Sequence, residues 1–236
     1  MRVKLLDVHK EEVINKLYVA ARTCYSKGSP IDMFNTITDN SEAALEKRVK
    51  LIKQVFNSGH LSIAEHASVT FLISGVDRAL THQLVRHRAG VVFSQQSQRY
   101  CNLEATFDYV IPKEIEKNLE ALDMFKQTME TIHTVYNTLI NMGIKAEDAR
   151  AVLPNACCTN LTMTVNLREL TQICELRLCS CAQYEIRTLV NMMAFAVKSA
   201  LPFMAEYLVP KCERLGYCNE SKDRSCGRKK LKKDVL

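Results

Sequence analysis

Within fifteen residues the chain sets Arg86-His87-Arg88 ahead of Ser94-Gln95-Gln96-Ser97-Gln98-Arg99-Tyr100. Each guanidinium presents five donors in a planar fork that fits phosphate, and serine and glutamine can both donate and accept toward a base or sugar edge. This make-up points to a nucleotide pocket. A solvated helix end followed by a polar loop is the plainer alternative, and the Arg-His-Arg triplet alone does not separate the two. A second cluster, Asn166 and Arg168 through Gln172 to Arg177, falls where a strand is expected to hand over to a helix. Arg168 and Gln172, four residues apart, share a helix face, whereas Arg177 projects from another side. A third block, Gly59-His60-Leu61-Ser62 with Glu65-His66, holds a histidine pair that suits either a core or a zinc ion, but no third ligand lies nearby.

Hydrophobic periodicity supplies the elements that must carry these groups. A strand is expected at Arg2–Leu6, a helix at Glu12–Cys24, and a second helix from Ser41 or Glu42 to Asn57 with Gly59 past its end. Residues 67–73 read as a strand closed by Ser74-Gly75, followed by a helix at Val76–Arg86, and the stretch after Arg88 reads as irregular. The longest helix is expected at Glu114–Met142, then a short one at Lys145–Leu153 before Pro154, and a strand in which Leu161, Met163 and Val165 alternate with polar residues. Two last helices are expected near Arg168–Cys179 and Ala182–Ala200. The pattern is α+β.

The 236 residues, 47% apolar and 25% charged, suit one domain with a sizeable core. Residues 1–210 are read as that domain and 211–236 as an appended, exposed and mobile basic tail carrying Cys212, Cys218 and Cys226. The net charge of +6 is concentrated there: residues 222–236 hold seven Lys or Arg against two Asp, or +5, leaving about +1 for the rest. That is no polyanion-binding field, so no nucleic acid is expected as partner. No apolar run is long enough to cross a bilayer and the N-terminus lacks a secretory pattern, so the expected setting is cytoplasmic, with no membrane partner and ten reduced cysteines.

Several separated blocks occur in one order: Gly59-His60-x-Ser62-x-x-Glu65-His66, Arg86-His87-Arg88, Ser97-Gln98-Arg99-Tyr100, Val152-Leu153-Pro154, Thr164-Val165-Asn166-x-Arg168, Leu176-Arg177 and Ala182-Gln183-x-Glu185-Ile186. Together they resemble the flavin-dependent thymidylate synthases over roughly residues 2–207. The resemblance implies a central, mostly antiparallel sheet flanked by helices, assembled as a homotetramer with flavin sites shared between subunits. It also implies conversion of dUMP to dTMP, with FAD as cofactor and with methylenetetrahydrofolate and NADPH as co-substrates. Carried over position by position, His60, Ser62, Arg86, His87, Arg88, Gln95, Asn166, Arg168 and Gln172 would hold the flavin. Gln83, Leu84, Val85, Arg86, Gln95, Gln96, Ser97, Gln98, Arg99, Arg150 and Arg177 would hold the nucleotide, Arg177 being the catalytic candidate, and no metal is implied.

Three features depart from the family pattern. Eight residues rather than seven separate the Arg-His-Arg triplet from Ser97, which places an extra residue within Ala89–Phe93, where Gly90 can relieve the backbone. Ser62 stands where threonine is common, and Cys181 stands where a histidine is often found near the flavin. Rival readings are a noncatalytic nucleotide- or RNA-binding protein and a metal-dependent hydrolase built on His60, Glu65 and His66. The hydrolase lacks further carboxylates, and a serine nucleophile at Ser97 lacks a visible activating relay. A cysteine-nucleophile synthase finds only a loose echo in Pro154-Asn155-Ala156-Cys157-Cys158, and Cys212, Cys218 and Cys226 are not spaced as a tight metal signature.

Overall fold

The computed structural model describes residues 1–101 and 107–235; Leu236 of the expected tail lies outside them. Strand β1 (Arg2–Leu5) leads into helices α1 (Lys10–Thr23), α2 (Pro30–Asn35) and α3 (Glu42–Asn57), and a 3-10 segment, Leu61–His66, precedes β2 (Ser68–Asp77). There follow α4 (Arg78–Leu84), β3 (Val91–Gln95), α5 (Lys113–Glu116), α6 (Leu119–Asn141), α7 (Ala146–Ala149), β4 (Cys158–Asn166), α8 (Leu167–Arg177), α9 (Tyr184–Ala200) and α10 (Lys211–Leu215). The four strands form one sheet in the order β1-β2-β4-β3, with every pairing antiparallel, in agreement with the expected α+β class.

Period-two alternation sends Val69, Phe71 and Ile73 of β2 and Leu161, Met163 and Val165 of β4 into the core. There they join Ile14 and Leu17 of α1, Leu170 and Ile173 of α8, and Leu189 and Met193 of α9. The opposite sheet face is bare in one chain: Val92 is 62% exposed and Leu72 40%. No helix among the described residues is long and apolar enough to cross a membrane.

The junction of β4 with α8 fixes the end of the sheet that matters most. The Asn166 amide donates to the Gly90 carbonyl at 2.8 Å, and its Oδ1 accepts from the Glu169 amide at 2.8 Å as the N-cap of α8. The Leu167 amide donates to the Ala67 carbonyl at 2.8 Å, tying in the end of the 3-10 segment. Gly90 has φ +66°, and a Cβ there would lie 1.8 Å from Asn166 Nδ2. Within Ala89–Phe93, position 90 is therefore one where only glycine fits.

Several boundaries differ from the sequence expectation. β2 does not stop at Ser74-Gly75 but continues through a bulge to Asp77, whose carboxylate caps α4. The stretch after Arg88 is not all irregular, because β3 finds β4 as its partner, a long-range pairing that local pattern cannot show. The long helix is divided at Lys117-Asn118, where Asn118 caps α6. Residues 211–235 are not a free tail: Cys218 pairs with Leu231 and is buried, and the Cys181 thiol donates to the Arg224 carbonyl.

A buried acid shapes the other end of the core. Glu185 Oε1 accepts the Asp77 amide at 3.0 Å, and the Glu185 side chain also faces the Asp77 carboxyl. Burial, aided by the Asp77 carboxylate, pushes the Glu185 carboxyl up to about 7. Between the ordinary carboxylate range and that value the folded chain holds a proton that the unfolded chain has released, so stability falls as pH rises through this window. Glu185→Gln should gain stability over the parent between pH 5 and pH 8, on the order of 1–2 kcal/mol by denaturant titration at each pH. Gly90→Ala should lower unfolding free energy by about 2 kcal/mol or more at any pH, since it adds both a left-handed strain and a collision.

Candidate functional site

The residues that sequence reading gathered fall into two groups at opposite ends of β3, a span of about 13 Å at the usual strand rise. The first lies at the Asn166 junction. His60 and Ser62 sit on the 3-10 segment, Arg86 and Arg88 after α4, and Arg168 and Gln172 on α8. His60, Ser62, Arg86, Arg88 and Gln172 are exposed. Arg86 Nη2 meets His82 Nε2 at 2.9 Å, but Arg88 and Gln172 have no side-chain partner among the described residues. Arg168 is engaged only through its electrostatic pull on Glu169. Arg88 and Arg168 flank the Asn166 junction, while Arg86 turns toward His82; guanidinium groups with no ion pair among the described residues suit phosphate oxygens, so the donor set fits the flavin nucleotide that the resemblance implies.

His87 is different: it is only 8% exposed and does not join those groups. Arg177 Nε donates to its Nε2 at 3.2 Å, which puts the ring proton on Nδ1, 3.3 Å from Glu169 Oε1. Burial, with Arg177 nearby, pushes the imidazole down to about 4, so the ring is neutral at neutral pH and can accept from arginine. Burial also raises the Glu169 carboxyl. Arg177 Nη2 donates to the Gln83 carbonyl at 3.2 Å, and Nη1 has no partner among the described residues. A chain from Glu169 through His87 thus aims Arg177 along α4. Glu169 was missed in the sequence, although an acid in the first turn of a helix beside Arg168 was a usable sign.

The second group lies at the Gln95 end. Gln95 Nε2 donates to Thr81 and Thr159 hydroxyls, and Gln96 receives Asn160 Nδ2 at 2.7 Å. Gln98 contacts the Cys157 thiol, and Ser97 Oγ accepts the Arg99 amide at 3.1 Å. Arg99 forms an ion pair with Glu147 at 2.5 Å, and Arg150 Nε donates to the Glu147 carbonyl at 3.0 Å, so Glu147 holds two of the expected nucleotide ligands, one by its acid and one by its backbone. No contact among the described residues joins this pair to Arg177. Arg78, which sequence reading missed, donates to the Gln96 carbonyl at 3.0 Å while its buried Nε has no partner. It lines a cavity of about 370 Å3 with Thr81, His82, Val85, Gln95 and Asn155. An orphaned guanidinium nitrogen in a polar cavity fits an anionic ligand.

The Leu84 side chain is fully buried in the core, where the apolar face of α4 needs it, so it is the backbone at this position that stands nearer the polar residues. Cys181 faces the chain's last segment rather than the Asn166 junction, because the turn between α8 and α9 points it away.

A family model described as thymidylate synthase complementing protein matches residues 4–203. The flavin-dependent thymidylate synthase of Nitratidesulfovibrio vulgaris is 42% identical, over 99% of this chain and 97% of that one. That of Clostridium tetani is 39% identical over 97% and 94%. Among solved structures, the UMP/dUMP methylase PolB from Streptomyces cacaoi, bound with 5-Br dUMP, shares the fold with a TM-score of 0.69 over 87% of this chain and 93% of that one, at 24% identity. With the matched region spanning the sheet, both polar groups and the relay behind Arg177, the chain belongs to the flavin-dependent thymidylate synthases.

Proposed function

We propose that the protein converts dUMP to dTMP, taking the one-carbon unit from methylenetetrahydrofolate and reducing equivalents from NADPH through FAD. The observation that carries this reading is Arg177, fixed by neutral His87 and the Gln83 carbonyl with Nη1 left for a ligand. A guanidinium held beside a uracil stabilises the negative charge that develops on the ring when N3 is deprotonated or an enolate forms, and so raises electron density at C5. Burial lowers the Arg177 pKa from its ordinary value, and a guanidinium stays protonated in proteins, so the group acts as a fixed charge. Bound FAD would supply hydride transfer to the one-carbon unit. Arg86, Arg88 and Arg168 bind its diphosphate, and Ser62, Asn166 and Gln172 with His60 read its polar edges. His87 serves as a positioning group through its ring rather than as a flavin ligand.

Arg78, Arg99 and Arg150 hold the dUMP phosphate, with Gln95, Gln96, Ser97 and Gln98 shaping the nucleotide pocket. Since the Arg99 and Arg150 pair is not joined to Arg177 in one chain, a site assembled from more than one subunit reconciles the two. The homotetramer is supported by α6, where Met124, Val135 and Met142 fall on one side and are all exposed. The ten free thiols suit a cytoplasmic setting.

Purified protein incubated with FAD, dUMP, methylenetetrahydrofolate and NADPH should form dTMP, followed by mass spectrometry, and should fail without FAD. FAD bound tightly without dTMP formation would defeat the catalytic reading. Arg177→Ala should lower turnover about 100-fold to 1000-fold while retaining most of the flavin, whereas Arg88→Ala and Arg168→Ala should lose flavin on gel filtration. Equal flavin loss in all three would overturn the division of roles. Glu169→Gln can donate to the ring as well as accept, which frees the tautomer. It should lower kcat/KM for dUMP about tenfold to 100-fold with little change in Tm.

A further inference from the structure

Half of the cysteines meet at one corner that the proposed reaction does not use. The turn after α8 carries Cys179 and Cys181, and the last segment of the chain brings Cys212, Cys218 and Cys226 against it, together with Glu220. One thiol of Cys179, one of Cys181 and a carboxylate oxygen of Glu220 all lie within 4.8 Å of one another. Cys179 is in hydrogen-bonding contact with Cys181 and in electrostatic contact with Cys212, which in turn feels Cys218. Apart from Cys181, these residues line a cavity of about 140 Å3, enough for an ion.

A second observation is independent of the thiols. Between residues 211 and 235 only Cys218 is buried, so this segment has no apolar core of its own. It is nevertheless folded, with the Cys218 amide donating to Lys230 at 2.7 Å and Lys232 donating back to Cys218 at 2.9 Å. Loop-rich segments without a core are held by a disulfide or a metal. All ten cysteines are free here, and besides the Arg214–Glu175 ion pair it is the thiol corner that meets this segment, so a metal is the cross-link its chemistry suits.

We propose that Cys179, Cys181, Cys212 and Glu220 bind a zinc ion that fastens the C-terminal segment to the end of α8. Tetrahedral zinc at about 2.3 Å from sulfur needs donors about 3.8 Å apart, so Cys179, Cys181 and Glu220, already within 4.8 Å of one another, close with shifts of about 1 Å, and Cys212, on the wall of the same cavity as Cys179, moves in as the fourth ligand. Binding releases the three thiol protons to solvent and involves no electron transfer. Arg224, 3.6 Å from Glu220 in a loose ion pair, and Arg228 at the same cavity offset the charge of the thiolates. Cys218 and Cys226 remain thiols. The ion would sit two residues beyond Arg177, bracing the helix end that presents it.

The test uses the full chain, dialysed against a competing chelator and analysed for metal, then stripped and titrated with zinc or with cobalt as a spectroscopic probe. About one zinc per chain and an intense near-ultraviolet cobalt–thiolate band are expected. Cys179→Ser and Cys181→Ser should weaken zinc at least tenfold, Glu220→Gln should weaken it without unfolding this half-buried site, and Cys24→Ser, which alters an exposed cysteine of the α1 C-cap, should change nothing. Absence of both zinc and the cobalt band, with all ten thiols titratable after denaturation, would overturn the proposal. So would a thiol count two short, which would mean a disulfide, or zinc retained equally by the Cys181→Ser and Cys24→Ser chains.

Discussion

The hydrogen bonds at Asn166 are the constraint on which the site depends. One residue ends β4, caps α8 and receives the loop after Arg88, while its neighbour Leu167 ties in the 3-10 segment carrying His60 and Ser62. Each of these bonds satisfies a backbone group that would otherwise be left unpaired near the core, so none can shift alone. As a result, three segments distant in sequence, the 3-10 segment, the loop after Arg88 and the β4–α8 junction, meet at one end of the sheet. The left-handed backbone at Gly90 follows from the same closeness, since the loop must pass over the Asn166 amide with no Cβ between them.

Two buried acids show how the fold treats charge. Glu169 is placed against a histidine that burial keeps neutral, and the resulting tautomer is what lets Arg177 donate into the ring. Glu185 lies beside Asp77, and burial keeps its carboxyl protonated well into the range where a solvated acid would be ionised. The first arrangement orients a charged group and serves the site. The second costs stability as pH rises and lies next to the cap of α4, the helix whose carbonyl at Gln83 also receives Arg177. The two are coupled through α4, because one helix carries both the Asp77 cap at its start and the Arg177 acceptor near its end.

A single chain leaves work undone. One face of the sheet is bare, α6 buries only Met129 and Tyr136 along 23 residues, and the arginines gathered by Glu147 stand apart from Arg177. The homotetramer proposed above would meet both needs at once, since association would cover the exposed apolar side chains of α6 and bring separated arginines to one ligand.

Much of this was legible in the sequence. The helices α1, α3, α8 and α9 and the strand β4 announce themselves because their apolar residues recur at a period set by local geometry. The ordered blocks around Arg86, Ser97, Asn166 and Arg177 carried the family, and with it the α+β class. What the sequence could not show were contacts between distant segments: β3 as a strand, which exists because β4 is there to pair with it, and the end of β2 beyond the bulge. The same holds for His87, exposed by its motif yet buried by Glu169 and Arg177, and for Arg78, ordinary in sequence yet orphaned beside a cavity. The last segment looked free because its composition is basic and poor in apolar residues; only the tertiary structure brought it to Cys179 and Cys181. Residue type and local period determined which groups were available and which elements bore them. Long-range backbone pairing and burial, which no local window contains, decided which of those groups face one another and which carry charge.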